Sequence, residues 1–378
     1  MMKRLLLVLF CLSAAVGSRS QELANFARNA PVVSPEIGET TVTFRIAAPR
    51  AKLVRLYGSW MASGNSSVNM VRDSLGVWSV SVQRPAPEIY TYNFIVDGLT
   101  VNDANNIFTQ RDGNRYMSVL LVPGELTENY FEATQRGNLS RVWYDSPTIG
   151  LKRRMFVYTP YGYDTSGEDY PVLYLLHGAG GDEDAWSTMG RARQILDNLI
   201  EKGLAVPMIC VMPNGNPGQQ AAQTLMLEQK TFDRDDPNNA NLYVRSLVND
   251  IIPYIESHYR AIPDRSARAI SGLSMGGGHT TAASIAFPGT FDYILPLSAG
   301  MGGDAATIDP QLRKVKDAGY KLYWLACGTD DFAFPNNQNL DAALTRNGME
   351  HTFFITGGGH TWANWRIYLN TFARLLFK

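Results

Sequence analysis

A serine lies at the centre of a glycine-rich segment, Ala269-Ile270-Ser271-Gly272-Leu273-Ser274-Met275-Gly276-Gly277-Gly278-His279. Apolar residues typical of a buried strand precede the serine, and small residues typical of a helix follow it as far as Phe287, before Pro288. A Gly-x-Ser-x-Gly sequence on such a strand–turn–helix segment holds the serine in a strained conformation and exposes its hydroxyl. Ser274 is therefore the candidate nucleophile.

A serine hydroxyl is a weak nucleophile at neutral pH, so it needs a histidine to accept its proton. His360 lies in Gly357-Gly358-Gly359-His360-Thr361-Trp362, directly after the last predicted strand, where a hydrolase of this kind places its base. The other four histidines fall on a predicted helix, at strand ends or on the helix after the nucleophile: His177, His258, His279 and His351. We therefore predict that His360 is the base.

The base needs a carboxylate to orient it. The predicted strand Leu322 to Ala326 leads into Cys327-Gly328-Thr329-Asp330-Asp331-Phe332, which offers two adjacent aspartates. One of Asp330 and Asp331 should contact the imidazole, while the other is solvated or caps a turn. The chain order of serine, aspartate and histidine is that of the α/β-hydrolases.

The negative charge of a tetrahedral intermediate must be met by backbone donors. One predicted donor is the amide of Met275, which follows the nucleophile. The second is expected in Leu175-Leu176-His177-Gly178-Ala179-Gly180-Gly181, after another predicted strand, where glycines let amides turn towards the site. We assign this second donor to Ala179.

The elements that position these residues alternate between short apolar runs and amphipathic segments. The runs predict strands at Val172 to Leu176, Met208 to Met212, Arg268 to Ser271, Tyr293 to Leu297, Leu322 to Ala326 and Thr352 to Ile355, after a strand pair at Arg141 to Tyr144 and Arg154 to Tyr158. Helices are predicted between them, as at Ala192 to Lys202, Leu242 to Tyr259 and Leu340 to Asn347. This pattern indicates an α/β fold with a mainly parallel sheet, and active sites in such sheets lie beyond the carboxyl ends of the strands.

The N-terminal part of the chain has a different pattern, with short alternating strands such as Thr41 to Ile46 and Val77 to Val82 separated by turns. We predict a signal peptide at residues 1–20, a β-sandwich at 21–123, a linker at 124–138 and an α/β-hydrolase domain at 139–378. The signal peptide is indicated by Lys3 and Arg4 before the apolar run Leu5 to Val16. That run is too short to span a membrane, so an exported protein without a membrane span is expected.

Composition narrows the class of partner. With 378 residues, of which 45% are hydrophobic, the chain can bury cores for two domains. A formal net charge of -1 gives no electrostatic reason to expect nucleic acid as a partner. Outside the signal peptide, Cys210 and Cys327 lie in separate apolar runs, which predicts two buried, unpaired thiols. We expect no metal and no cofactor.

The N-terminal region resembles the immunoglobulin-like domains of glycogen branching enzymes and isoamylases. The matching residues are Ser34-Pro35-Glu36, Val42-Thr43-Phe44, Ala48-Pro49, Gly76-Val77-Trp78 and Tyr90-Thr91-Tyr92-Asn93-Phe94-Ile95-Val96-Asp97-Gly98. Such a domain can hold a sugar chain on an aromatic ring. Trp60, beside a turn, is the candidate surface contact, whereas Trp78, on an alternating strand, is interpreted as core.

The whole chain resembles the esterase D-like group and, within it, the bacterial two-domain feruloyl and acetylxylan esterases of carbohydrate esterase family one. The matching residues are Tyr170 to Gly178, Gly181-Asp182-Glu183, Trp186, Met212 to Gly215, Pro253 to Glu256, Gly272 to Gly277, Gly328 to Asp331 and Gly359 to Trp362. The spacing of the family's Gly-x-x-Asp implies that Asp331 is the acid, with Asp330 as the alternative. Together with the signal peptide, the resemblance implies a secreted serine esterase acting on feruloyl or acetyl esters of plant polysaccharide. Trp362, two residues beyond His360, is a candidate contact for an aromatic acyl group, and packing under the last helix is the alternative.

Two alternatives remain open at this stage. Enterobactin esterases share the fold and an N-terminal β-domain, but they act in the cytoplasm, and the signal peptide argues against them. A secreted glycan-binding protein with an inactive hydrolase domain is the alternative outside the hydrolases. The intact order of Ser274, aspartate and His360 favours the enzyme.

Overall fold

The computed structural model describes residues 32–61, 66–113, 115–219, 230–233 and 236–378. The predicted signal peptide lies outside the described residues. The chain forms two compact units. Of the described residues, the first unit contains 32–57, 66–84 and 93–107, and the second contains 58–61, 85–92 and those from 108 onwards. The domain boundaries at 123 and 138 stay predictions.

In the described part of the chain, ten short strands precede residue 122. They are β1 Glu36–Ile37, β2 Thr41–Ala47, β3 Val54–Gly58, β4 Val68–Asn69, β5 Val71–Arg72, β6 Val77–Gln83, β7 Ile89–Val96, β8 Leu99–Val101, β9 Thr109–Asp112 and β10 Arg115–Leu121. Antiparallel sheets therefore form the N-terminal part of the described residues, as the alternating pattern predicts.

In the first unit, four strands form a sheet of order β1-β2-β6-β5. Alternate residues of β2, Val42 and Phe44, are fully buried, as expected for a strand with one face on a core. Trp78 is buried as well, and its indole N–H donates to the Ala48 carbonyl, which confirms its interpretation as core. In the second unit, β9 pairs with β10, and β10 pairs with residues 89–92 of β7.

An eight-stranded sheet forms the centre of the second unit. Its strands are β11 Asn138–Ser146, β12 Leu151–Thr159, β13 Val172–Leu176, β14 Ile209–Pro213, β15 Arg268–Leu273, β16 Tyr293–Leu297, β17 Leu322–Gly328 and β18 Thr352–Thr356. The order is β11-β12-β14-β13-β15-β16-β17-β18. The β11–β12 and β12–β14 pairs are antiparallel and the rest are parallel, which confirms a mainly parallel sheet.

Helices cover this sheet. They are α1 Tyr163–Ser166, α2 Ala185–Thr188, α3 Ala192–Glu201, α4 Leu242–Ser246, α5 Ile252–His258, α6 Met275–Ala286, α7 Ala305–Ala318, α8 Phe334–Arg346 and α9 Trp362–Phe372. A π-helical turn, Leu247–Ile251, joins α4 to α5 within the segment predicted as one helix. All five residues of β13 and all five of β16 are buried, which explains their uninterrupted apolar runs.

Two apolar cores lie against the sheet. One includes residues of α4, α5, α6, α7 and α8, and the other includes residues of α3 and α9. Tyr130 belongs to the second core, although it lies in the segment predicted as a linker, where Glu125–Tyr130 forms a 3-10 helix. No helix of the described residues is both long and apolar enough to cross a membrane.

Candidate active site

The turn between β15 and α6 holds Ser274 in a strained conformation. Its φ is 54° and its ψ is -116°, a region that residues other than glycine rarely occupy. The Ser274 amide donates to the Leu297 carbonyl at 2.9 Å, which ties the turn to the end of β16. A Cβ on Gly276 would lie 2.6 Å from the carbonyl oxygens of Leu176 and His177, so this position requires glycine. The turn therefore has the geometry of a nucleophile elbow.

His360 lies in the loop between β18 and α9, and its Nδ1 contacts both carboxylate oxygens of Asp331 at 2.9 and 3.0 Å. Asp331 is buried, and it also accepts a hydrogen bond from the Ala333 amide at 2.8 Å. Asp330 is exposed, and its amide donates to the Gly358 carbonyl. The carboxylate that meets the imidazole is thus that of Asp331.

Aromatic side chains flank the His360 imidazole. The ring of Phe332 lies 4.3 Å from it, centroid to centroid, and Trp365 approaches it edge-on at 5.0 Å. The Trp365 indole N–H donates to Ser298 Oγ at 3.0 Å, one residue beyond the carbonyl that holds the Ser274 amide. The Ser274 amide and Trp365, which packs on His360, are therefore bound to the adjacent residues Leu297 and Ser298. No hydrogen bond joins Ser274 Oγ to His360 in this part of the described chain, and such contacts often tighten only when substrate binds.

The loop after β13 runs beside Ser274, the candidate nucleophile. A Cβ on Gly178 would lie 3.2 Å from Ser274 Cβ, so the loop backbone approaches the serine closely. Ala179, the next residue, is exposed. Met275 is the first residue of α6, where backbone N–H groups have no intrahelical partner. Both predicted donors, Ala179 and Met275, thus lie next to residues that border the Ser274 side chain.

His177 holds this loop in place. Its Nδ1 lies 2.7 Å from the Gly178 carbonyl and its Nε2 accepts from the Gly215 amide at 2.7 Å, which defines the neutral tautomer with the proton on Nδ1. Burial lowers the pKa of His177, and a hydrogen bond to the Gly178 carbonyl opposes this only in part. Both ring nitrogens are occupied by backbone groups, so His177 cannot accept the proton of Ser274.

The remaining histidines are held elsewhere. His279 lies on α6 with its ring 4.8 Å from that of Tyr243, and burial, followed by the charge of His177, lowers its pKa to about 4. His258 stacks on Tyr254, and His351 contacts Asp341 at 2.9 Å. Of the five, only His360 has a carboxylate on Nδ1 and lies at the carboxyl ends of the strands near Ser274.

The two predicted substrate contacts lie in different places. Trp362 is partly exposed and packs edge-on against Trp186 and Trp365, at 5.2 and 5.1 Å. Trp60 is also partly exposed and packs edge-on against Tyr90 at 5.8 Å. Sequence reasoning missed Phe332, which is 78% exposed beside the His360 ring. Its position directly after Asp331, the predicted acid, is the one signal that could have indicated it.

Sequence reasoning also missed the charged side chains that support the loops after β13 and β14. Arg111 of β9 contacts Asp182, and Arg154 of β12 contacts Glu183. Arg153 is fully buried and donates to the carbonyl oxygens of Asn214, Asn216 and Pro217. Each contact joins residues far apart in the chain, so no local sequence pattern predicts it. Within the described ranges, no group of three or more His, Cys, Asp or Glu side chains could hold a metal ion.

A mainly parallel sheet with a nucleophile elbow at its centre defines an α/β-hydrolase. Residues 146–375 match the model of the Esterase family, and this match covers more than half of the chain. The protein therefore belongs to the esterase family.

Similar proteins sharpen this assignment. The endo-1,4-beta-xylanase/feruloyl esterase of Xylanibacter ruminicola is 29% identical over 344 residues, which cover 89% of this chain and 44% of that protein. The chain thus spans less than half the length of this relative. The fold is shared with a CE1 ferulic acid esterase from Anaeromyces mucronatus, with a TM-score of 0.55 and 24% identity over 66% of this chain and 95% of the other. The predicted resemblance to carbohydrate esterase family one is confirmed.

The enterobactin esterase of Shigella flexneri, solved in the presence of enterobactin, shares the fold over a longer stretch. Its TM-score is 0.62 at 17% identity, and the alignment covers 90% of this chain and 94% of that one. This likeness supports the combination of N-terminal antiparallel sheets with an α/β-hydrolase. The immunoglobulin-like character of the N-terminal sheets stays a prediction.

Proposed function

We propose that the protein is an exported serine esterase that removes feruloyl groups, or acetyl groups, from plant cell-wall polysaccharide such as xylan. The observation that carries the proposal is the contact of His360 Nδ1 with Asp331. Both residues lie in loops at the carboxyl ends of parallel strands, as does the strained Ser274. This pairing directs Nε2 of the imidazole away from the carboxylate, as a general base requires.

In the proposed acylation step, Ser274 Oγ attacks the ester carbonyl carbon while His360 Nε2 takes the hydroxyl proton. The carbonyl π electrons move to oxygen, and the amides of Ala179 and Met275 stabilise the resulting oxyanion. Asp331 stabilises the imidazolium without taking its proton. The oxyanion then collapses, the bond to the sugar oxygen breaks, and His360 returns the proton to that oxygen.

Water completes the proposed cycle. It attacks the acyl carbon and gives a proton to His360 Nε2, and collapse of the second tetrahedral intermediate breaks the bond to Ser274 Oγ. The proton on His360 passes to that oxygen, which restores the serine and releases the carboxylic acid. One water is consumed for each ester cleaved, and the cycle needs no redox partner.

The substrate class rests on two observations. The Xylanibacter ruminicola relative carries xylanase and feruloyl esterase in one name. In this chain, Phe332 presents an exposed aromatic ring beside His360, a suitable surface for an aromatic acyl group. Trp362 is less suited to stacking, because its ring already packs against Trp186 and Trp365.

Aryl acetate and methyl ferulate hydrolysis by wild-type protein and by Ser274→Ala tests the activity. Loss of the nucleophile should lower kcat by roughly six orders of magnitude, as it does in serine hydrolases that lose a triad member. Equal, slow hydrolysis by both proteins would instead support a glycan-binding protein with an inactive hydrolase domain.

A comparison of kcat/KM on feruloylated and acetylated xylo-oligosaccharides and on enterobactin tests the substrate. We expect the feruloyl ester to be preferred, and Phe332→Leu to reduce that preference more than it reduces turnover of the acetyl ester. A preference for acetyl esters would reassign the acyl group, and a preference for enterobactin would favour the siderophore esterases.

We propose to test the role of Trp60 in glycan binding with a single substitution rather than with a deletion of the N-terminal region. Removal of residues 21–123 would take away Glu88, which pairs with the buried Arg366 of α9 at 2.9 Å, and would leave that charge unpaired. Trp60→Ala avoids this damage. We expect it to weaken binding of xylan to the full-length protein while kcat on methyl ferulate stays unchanged.

A further inference from the structure

Three consecutive acids, Asp182, Glu183 and Asp184, end the loop that carries Ala179. Asp182 and Glu183 are each 2% exposed, so their charges are almost entirely removed from water. Buried carboxylates persist only where cationic or hydrogen-bonding groups compensate for lost hydration. Arg154 contacts Glu183, and Arg111 contacts both Asp182 and Asp184.

Arg111 binds two of the acids at once. Its Nη2 lies 2.8 and 2.7 Å from the two carboxylate oxygens of Asp182 and 3.2 Å from Asp184 Oδ2, and the side chain is 5% exposed. Its Nη1 donates to the Gly113 carbonyl. Burial alone would lower the pKa of Arg111, but the hydrogen bonds and charges of Asp182 and then Asp184 outweigh burial and raise it. The guanidinium therefore stays charged and fixed.

Gly113, directly after β9, also lies close to this loop. A Cβ on Gly113, whose φ is 57°, would lie 3.2 Å from the Gly180 carbonyl oxygen. Further along the loop, the Gly181 amide donates to the Gly178 carbonyl, and Asp182 Oδ1 accepts from the Asp184 amide at 3.0 Å. Ala179 is thus followed by Gly180, which lies close to Gly113, and by Asp182, which Arg111 contacts.

We propose that Arg111 is a positioning residue for the oxyanion hole, which it orients through Asp182. The inference rests on the proposed function, since it assumes that the Ala179 amide meets the oxyanion. An amide displaced by even 1 Å still permits substrate binding but stabilises the transition state less. Loss of Arg111 should therefore lower kcat much more than it changes KM.

The test uses the full-length protein and compares four variants with wild type. Arg111→Met leaves Asp182 unpaired, and Arg111→Lys keeps the charge but loses the planar fork. The double variant Arg111→Met with Asp182→Asn removes both buried charges and keeps an acceptor for the Asp184 amide, so it separates positioning from misfolding. Arg268→Met is the control, because Arg268 pairs with Glu256 at the amino end of β15, opposite the site.

The measurements are kcat and KM on an aryl acetate, inhibition by phenylboronic acid, which forms a tetrahedral adduct with serine, and melting temperature. We expect kcat to fall roughly 10- to 100-fold in Arg111→Met and in the double variant, with KM within about threefold of wild type. Arg111→Lys should be intermediate. In the Arg111 variants, inhibition by phenylboronic acid should weaken by a factor similar to the loss in kcat/KM. Arg268→Met should change only the melting temperature.

Wild-type kcat in the double variant, or a loss no larger than that in Arg268→Met at equal loss of melting temperature, would overturn the inference. Equal losses in kcat and in substrate affinity would do the same, since they indicate general distortion. Failure of the proposed function is distinguishable, because wild type itself would then be no faster than Ser274→Ala.

Discussion

His177 and His360 lie beside glycines after parallel strands of the same sheet, yet their surroundings give them opposite properties. His177 is 1% exposed, and both ring nitrogens are occupied by backbone groups. His360 has a side chain 21% exposed, with a carboxylate on one nitrogen. The difference shows that a Gly-His or His-Gly pair in the sequence does not define a base. The groups that contact the two ring nitrogens define it.

The largest expected effect that tests this comparison is that of replacing His360. We expect His360→Gln to lower kcat by roughly five to six orders of magnitude, because no other group in the proposed site can take the proton of Ser274. Steady-state kinetics on methyl ferulate measures this. The control is His351→Gln, which alters a histidine bound to Asp341 and should leave kcat within a few-fold of wild type.

The next effect concerns the two adjacent aspartates. Asp331→Asn should lower kcat by about 10⁴-fold, since it disturbs the tautomer of the imidazole. Asp330→Asn should leave kcat nearly unchanged, because this side chain is exposed and only its amide is engaged in the loop. The same ester assay compares the two variants, and the reverse ranking would transfer the acid role to Asp330.

His177 should behave as a structural residue of the loop after β13. His177→Leu leaves the buried Gly215 amide without its acceptor, while the Gly178 carbonyl keeps only its hydrogen bond from the Gly181 amide. The unpartnered amide should cost about 1–3 kcal/mol of stability. We expect kcat to fall roughly 10- to 100-fold through displacement of the loop. Urea unfolding and ester kinetics measure the two effects. A loss of kcat as large as that of His360→Gln would remove the distinction between the two histidines.

The smallest effect is a dependence of stability on pH. The pKa of His177 is lowered in the folded protein, and that of His279 is lowered to about 4, against about 6.5 when unfolded. Below pH 6.5 the unfolded chain therefore binds more protons than the folded one, so stability is full above that pH and is lost as the pH falls towards 4. For His279 the loss is at most about 3 kcal/mol.

Urea unfolding at pH 7 and pH 5 tests this, with His279→Gln expected to lose less stability on acidification than wild type. His258→Gln is the control, since His258 is exposed. An unchanged acid sensitivity in His279→Gln would show that the group titrates freely in the folded protein.

Local patterns predicted the fold and the core of the site. Two strands were predicted with their observed bounds, Val172–Leu176 and Tyr293–Leu297, because buried parallel strands are continuous apolar runs. The prediction of Ser274 and His360 rests on the glycines that their turns require, which lie next to them in the sequence. The contact of His360 with Asp331 rather than Asp330 followed from family spacing, not from the residues themselves.

Long-range contacts escaped prediction. Arg111 lies 71 residues before Asp182, and nothing in Thr109–Asp112 distinguishes a strand that supports an active-site loop from any other. Helix α7 contains Pro310, which argues against a helix when read locally. Tyr130 lies in a polar segment, and its burial depends on helices that the sequence places far away.

Cys210 and Cys327 are both fully buried and unpaired, as predicted, and they lie in β14 and β17, on opposite sides of β15, the strand that leads into Ser274. Burial raises the pKa of both thiols, that of Cys327 to about 12, so neither reacts readily while the sheet is intact. The protein therefore carries two built-in reporters of its own opening. A thiol reagent added to the native enzyme should modify them only as fast as the central sheet unfolds. The rate of modification therefore measures the rate of unfolding without any added label.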